Sequence, residues 1–166
     1  MPEETTGRVA SITLRAAQPE DEAFLLKVYA SVRADELAQV PWTEAQREAF
    51  IGMQFAAQRE HYHKHNPGAT YDLILLDESP AGRLYVARRE REFRILDITI
   101  LPEYRNRGTG TLLVKDLMAE AARAGKPLNI YVESYNPSYR LFERLGFKMI
   151  EDTDGVNHLL EWRAES

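Results

Sequence analysis

A single α/β domain is the architecture implied by this chain of 166 residues, and three features carry that reading. Strand and helix signals alternate in the order β-α-α-β-β-β-α-β-α-β-β, with no internal repeat, low-complexity tract or linker. Apolar residues make up 44% and charged residues 28%, which suits one domain with a sizeable core. Near the middle, an apolar β-branched run is followed by a glycine-bearing loop, an amphipathic helical pattern and another strand. Such a crossover makes its two strands parallel, whereas tight turns elsewhere make neighbours antiparallel. The sheet is therefore expected to be mixed and mostly antiparallel.

Ser11 to Arg15 alternates polar and apolar residues, as a half-buried first strand does. Gln18-Pro19-Glu20-Asp21 reads as a helix start, with proline near the first helical position and acids in the first turn. Ala23 to Val32 continues it, with Phe24, Leu25, Val28 and Tyr29 at helical spacing. Ala34 to Trp42 loses that period and reads as a loop between two helices. Thr43-Glu44-Ala45-Gln46 is a capping-box pattern, opening a helix that reaches about His65 and stops at Asn66-Pro67-Gly68.

Tyr71 to Asp77 is a strand with a continuous apolar centre. Glu78 to Gly82 carries turn chemistry, and Arg83 to Arg89 returns as the second arm of a hairpin. Arg89 to Glu92 makes another tight connection into the strand Phe93 to Leu101, which Pro102 stops. Leu112 to Ala124 is the amphipathic helix, ended by Gly125-Lys126-Pro127. Leu128 to Glu133 is the next strand. Asn136-Pro137 caps a short helix, Ser138 to Leu145, closed by Gly146. Met149 to Glu151 and Val156 to Trp162 flank Asp152-Thr153-Asp154-Gly155 as a closing hairpin.

Bulk properties narrow the function. There is no cysteine, which excludes disulfides, thiol chemistry and cysteine-ligated zinc. The net charge is −5, which argues against nucleic acid or an anionic membrane as the main partner and suits an amine-bearing substrate. No apolar run approaches a membrane span. Residues 1–10 read as a polar tail with no signal-peptide core, so a cytoplasmic protein is expected.

The chemistry concentrates at Arg105-Asn106-Arg107-Gly108-Thr109-Gly110-Thr111, between strand and helix. The first amides of a helix have no intrahelical acceptor, and the helix dipole favours an anion there. Gly108 and Gly110 let backbone approach a guest closely. Arg105 and Arg107 add charge that suits phosphate oxygens. The Gly-Lys-Ser/Thr of an ATPase phosphate loop is missing, which speaks against a nucleotide-binding protein of that kind.

Three stretches together resemble the GNAT acyltransferase superfamily. Leu96-Asp97-Ile98-Thr99-Ile100-Leu101-Pro102-Glu103-Tyr104-Arg105-Asn106-Arg107-Gly108-Thr109-Gly110 is similar to the family's strand and Arg/Gln-x-x-Gly-x-Gly/Ala loop. Asn136-Pro137-Ser138-Tyr139-Arg140-Leu141-Phe142-Glu143-Arg144-Leu145-Gly146-Phe147 resembles its second signature. The strand and two helices at the N-terminus form a weaker third. The resemblance covers nearly the whole chain. It implies one GNAT-like domain over residues 11–163, whose parallel fourth and fifth strands are splayed and whose helices lie on both faces of the sheet.

The resemblance further implies acetyl-CoA as acyl donor and CoA as product. The pyrophosphate would sit on the Arg107 to Thr111 amides, with Arg105 and Asn106 beside them. The pantetheine arm would run along the strand edge at Ile98, Thr99 and Ile100, and the acyl group would lie near Thr99, Glu133 and Tyr135. Asn136 falls one residue after the family's pantetheine-contacting asparagine, at a position held by Tyr135, and reads equally as a helix cap. Phe142 stands where the family often has the tyrosine that protonates the leaving thiolate. Tyr139 or Tyr135 could replace it, or water could; otherwise the protein binds acyl-CoA without turnover.

Two carboxylates are candidates for acid-base work. Glu133 ends the fifth strand and could act as base directly or through a water. Asp97 lies in an apolar strand and either faces the cleft or is satisfied by an arginine across the sheet. Alternation puts Asp97 and Thr99 on one face, Ile98 and Ile100 on the other. Asp35, Glu36, Glu44 and Trp42 could wall an acceptor site or be solvated and packed. His61 and His65 share a helix face but lack the spacing of a metal motif, and no metal is expected. The expected activity is transfer of acetyl to a primary amine, of a small molecule by preference or of a protein. The resemblance leaves a homodimer open.

Overall fold

The computed structural model describes residues 11–165. The tail expected over residues 1–10 lies outside the described residues. Among the described residues there are seven strands: β1 (Ile12–Ala16), β2 (Thr70–Leu76), β3 (Ser79–Arg88), β4 (Phe93–Ile100), β5 (Leu128–Glu133), β6 (Lys148–Asp152) and β7 (Asn157–Trp162). Four helices accompany them: α1 (Glu22–Ala38), α2 (Glu44–His65), α3 (Thr109–Ala124) and α4 (Tyr139–Arg144). The strands form one sheet in the order β1-β2-β3-β4-β5-β7-β6. Of these neighbours only β4 and β5 pair in parallel; the others are antiparallel.

Alternation within the strands divides the core between the two faces. On one face Leu113, Val114, Leu117 and Ala121 of α3 pack on Ile74, Leu84, Val86, Ile95, Leu128, Ile130 and Val132. Each fully buried Leu, Ile or Val side chain there contributes about 1.5–3 kcal/mol. On the other face Leu25 and Tyr29 of α1 and Phe55 of α2 pack on Leu73. Leu73 and Ile74 thus serve opposite faces, which explains the unbroken apolar centre of β2. The capping box at Thr43 forms: Gln46 N donates to Thr43 Oγ1 (3.1 Å), and Thr43 N donates to Gln46 Oε1 (2.8 Å).

Two expectations need correction. Residues 34–38 are helical rather than loop. Leu37 is buried two turns beyond Tyr29, while Arg33 lies over Tyr29 (5.6 Å) and bonds Glu36 (3.0 Å) on the outer side. The first hairpin turns at Asp77-Glu78, both left-handed (φ 48° and 72°), as a two-residue hairpin turn requires. Ser79 to Gly82 therefore belongs to β3. Proline has no amide to give the ladder, and the register shifts there, with Ile74 opposite Gly82 but Leu75 opposite Pro80.

Candidate active site

The parallel pair opens after three residue pairs. Phe93, Arg94 and Ile95 lie opposite Leu128, Asn129 and Ile130. Beyond them, β4 is bonded to β3 alone and β5 to β7 alone. A bulge sits where β4 departs: Ile95 lies opposite Val86 and Asp97 opposite Tyr85, so Leu96 is the extra residue. The Tyr62 hydroxyl of α2 donates to the Leu96 carbonyl (3.2 Å) and packs edge-on against Tyr85 (5.6 Å). Burial, with Asp97 nearby, raises the Tyr62 pKa far above its ordinary value, so the hydroxyl stays a donor. The splay thus leaves one backbone edge of β4 facing a cleft, with donors and acceptors able to pair with an extended guest.

The glycine loop lies at the end of that edge. Pro102–Tyr104 makes one 3-10 turn, and Arg105 Nε donates back to the Ile100 carbonyl (2.8 Å). Arg107 donates to the Glu103 carbonyl (3.1 Å) and lies over Tyr104. Asn106 and Gly108 are left-handed (φ 63° and 80°), which turns the chain into α3 at Thr109. No side chain caps α3 among the described residues. The amides of Thr109, Gly110 and Thr111 therefore lack intrahelical acceptors. Gly110 sits over Ile100 and Leu141: an added Cβ would come within 3.8 Å of each. Uncapped amides, flanking guanidiniums and absent Cβ atoms together fit a pyrophosphate.

On the α1–α2 face of β4, Asp97 is held by an arginine across the sheet, one of the two alternatives open from sequence. Arg83 Nη2 donates to Asp97 Oδ2 (2.8 Å) and to Gln58 Oε1 (3.0 Å). Thr99 Oγ1 donates to Asp97 Oδ1 (2.6 Å). Arg83 is only 2% exposed. Burial works against its charge, but Asp97 and Tyr85 outweigh burial and raise its pKa. Ile98 and Ile100 pack toward α3, so their backbone rather than their side chains faces the cleft.

At the end of β5, Glu133 is half-buried; its carbonyl accepts from Asn136 N (2.9 Å), and its carboxylate lies 3.5 Å from Asn136 Nδ2. Asn136 Oδ1 accepts from Ser138 N (2.9 Å) and Ser138 Oγ (2.8 Å), so it shapes the turn into α4. Tyr135 is 74% exposed on that turn. The Tyr139 hydroxyl lies 2.6 Å from His158 Nδ1 of β7. Burial, followed by Glu143 and Asp152, raises the Tyr139 pKa. Phe142 is 1% exposed, edge-on to Phe147 (5.2 Å), and sits in the core beneath α4 rather than on the cleft wall.

Sequence reasoning did not single out Arg83, Gln58, Tyr62 or His158. Arg83 had a signal: a cation two residues before Tyr85 in an apolar strand needs an anion on the same face. Of the acids near the α1–α2 connection, Glu36 is paired with Arg33, while Trp42 packs edge-on to Phe50 (5.0 Å). Arg47 donates to the Leu37 and Val40 carbonyls (3.1 Å each) and holds that connection. Among the described residues, no cluster of His, Asp or Glu could hold a metal, and no helix is long and apolar enough to cross a membrane.

Several solved structures share this architecture. PaiA N-acetyltransferase from Thermoplasma acidophilum, in complex with coenzyme A, matches with a TM-score of 0.70 at 21% identity, over 93% of this chain and 99% of that one. An acetyltransferase from Thermus thermophilus gives 0.66 at 17% identity, over 94% and 99%. An acetyltransferase from Streptococcus agalactiae gives 0.63 at 17% identity, over 95% and 99%. No curated protein matches the sequence closely enough to count as a relative. The model of the acetyltransferase (GNAT) family matches residues 29–147, from α1 through the glycine loop to the end of the second signature. With the splay, the loop and that match in agreement, the chain belongs to the GNAT acetyltransferase family.

Proposed function

We propose that this protein transfers an acetyl group from acetyl-CoA to a primary amine by direct attack in a ternary complex, with small-molecule amines favoured over protein N-termini or lysines. The observation that carries it is the parting of β4 from β5 after Ile95, beside the uncapped N-terminus of α3. The coenzyme A held by the PaiA neighbour supports that choice of donor. The acyltransferase unit is taken as residues 11–163, and the net charge of −5 suits a cationic acceptor in the cytoplasm.

The residues fit the donor in an ordered way. Gly108, Thr109, Gly110 and Thr111 offer amides to the pyrophosphate, with Arg105, Asn106 and Arg107 around it. The free β4 edge at Ile98, Thr99 and Ile100 takes the pantetheine arm. Acetyl-CoA supplies a thioester whose carbonyl carbon the neutral amine attacks; the C–N bond forms, the C–S bond breaks and the sulfur leaves as thiolate. A backbone amide of the β4 edge stabilises the carbonyl oxygen as charge builds on it. Holding both reactants in one cleft provides most of the acceleration. Glu133 takes the nitrogen proton, directly or through a water. Tyr139 returns a proton to sulfur: a tyrosine is protonated at neutral pH, and its hydroxyl lies 2.6 Å from His158 Nδ1. Tyr135 and Asn136 line the turn through which the arm leaves.

A second reading is an acyl-CoA-binding module without turnover, and the buried Phe142 favours it. Thiol release from acetyl-CoA over a panel of primary amines separates the two. Release with at least one amine supports transfer. CoA binding with no release for any amine supports the module.

A further inference from the structure

The Thr99 hydroxyl has one hydrogen and two lone pairs. Its hydrogen is committed to Asp97 Oδ1 at 2.6 Å. A carboxylate only accepts hydrogen bonds, so that bond runs in one direction. Asp97 is fixed in turn by Arg83 at 2.8 Å, a cation buried between the sheet and the α1–α2 layer, with its guanidinium 5.0 Å from the Tyr85 ring and 5.9 Å from Tyr29. A buried guanidinium needs an anion beside it, and Asp97 is that anion. Gln58 holds the same Arg83 nitrogen from α2 (3.0 Å). With its hydrogen directed to Asp97, the half-buried Thr99 oxygen has only lone pairs left to offer on the open stretch of β4.

We propose that Thr99 Oγ1 receives an N–H of the acceptor amine and thereby orients the nitrogen lone pair toward the acyl carbon, while Asp97 and Arg83 are positioning residues that keep the hydroxyl in its accepting orientation. This rests on the amine acetyltransferase reading above. The consequence is a specificity rule. Nitrogen nucleophiles with two hydrogens satisfy Thr99 and can still lose a proton to the base. Tertiary amines and groups that offer only lone pairs meet an oxygen that cannot donate to them. Asp97 then has no role as the base, because both its oxygens are engaged with Arg83 and Thr99.

The test is steady-state kinetics with the best primary amine, beside calorimetric CoA binding, for wild type, Thr99→Val, Thr99→Ser and the charge-balanced double variant Arg83→Met/Asp97→Val, in which no acceptor is left for the Thr99 hydrogen. Thr99→Val keeps the shape and removes the acceptor. Its kcat/KM for the amine should fall roughly tenfold, the loss of one hydrogen bond; CoA affinity should stay within about twofold of wild type, because the pantetheine arm is proposed to meet the Thr99 backbone and not its side chain. Thr99→Ser should recover most of that loss. The double variant, with Thr99 intact but its hydroxyl released, should lose amine kcat/KM like Thr99→Val. An unchanged amine kcat/KM in Thr99→Val, or failure of serine to rescue, overturns the proposal; should the double variant not fold, these two results decide it alone. A wild type that binds no CoA or acetylates no amine removes the reading on which the proposal stands.

Discussion

Phe142 shows how one side chain separates a family's habit from this chain's chemistry. The ring is enclosed by the core and meets Phe147 edge-on. A hydroxyl added there would enter that apolar core. Phe142→Tyr should therefore lower stability by about 1–3 kcal/mol, seen as a reduced Tm, while CoA affinity persists. A variant with unchanged Tm and faster turnover would show the position reaches the thiol after all. Tyr139→Phe should slow thiol release without weakening CoA binding; an unchanged rate would leave protonation to water. Glu133→Gln should flatten the acidic limb of the kcat/KM profile, and a profile that keeps its shape would remove Glu133 as base. At this scale the sequence was informative about residue types but not partners. Asp97 stood out as a carboxylate in an apolar strand, yet Arg83 became its partner only through a β3–β4 register containing a bulge. Phe142 was assigned by its distance from Gly146, and spacing along a short helix does not say which side faces the core.

At the scale of elements, local signals were read well where one residue type dictates the backbone. The capping box at Thr43, the stop at Gly125 and the uncapped start of α3 all follow from side chains or missing Cβ atoms close in sequence. The end of α1 is hidden from the periodicity, because Leu37 returns to the buried face only after a polar stretch. The first hairpin turn is hidden in the sequence because Asp77 and Glu78 adopt left-handed φ that glycine would normally advertise. The splay followed from the family resemblance, since strand parting depends on Leu96, Tyr62 and the lack of a β5 partner, residues far apart in the chain. Gly82 tests how rigid this junction is. A Cβ there would lie 2.1 Å from the Thr99 carbonyl oxygen and 3.0 Å from Ile100 Cα. Gly82→Ala must push β3 from β4 at the open stretch. A loss of about 3 kcal/mol or more is expected by analogy with overpacked cores, along with weaker CoA binding. A fully stable variant with normal affinity would show that the two strands move apart freely.

Across the molecule, the helix pair and the sheet enclose a cluster of tyrosines beside the Arg83–Asp97 pair. Tyr62, Tyr71 and Tyr85 all have raised pKa values, with burial as the main cause in each. An unfolded tyrosine ionises near pH 10, whereas these stay protonated when folded. Their contribution to stability is complete below about pH 10 and is lost as pH rises toward the folded values. Melting followed between about pH 8 and 11.5 should show a steep fall above about pH 10, shallower in Tyr62→Phe; a flat curve would mean the cluster is open to water. Under the proposed function and the proposed role of Thr99, two chemistries fall on opposite faces of β4: anion binding at the uncapped α3 amides, and contact with the acceptor at the Thr99 hydroxyl on the α1–α2 side. The central requirement is that CoA lies along the splay with its pyrophosphate on the amides of Gly108 to Thr111. Calorimetric titration of CoA into wild type and Gly108→Glu addresses this directly, since the substitution puts a side chain and a negative charge where the pyrophosphate would rest. Wild type should bind and Gly108→Glu, still folded by circular dichroism, should not. Equal affinity in the two proteins would contradict the placement of CoA on this loop.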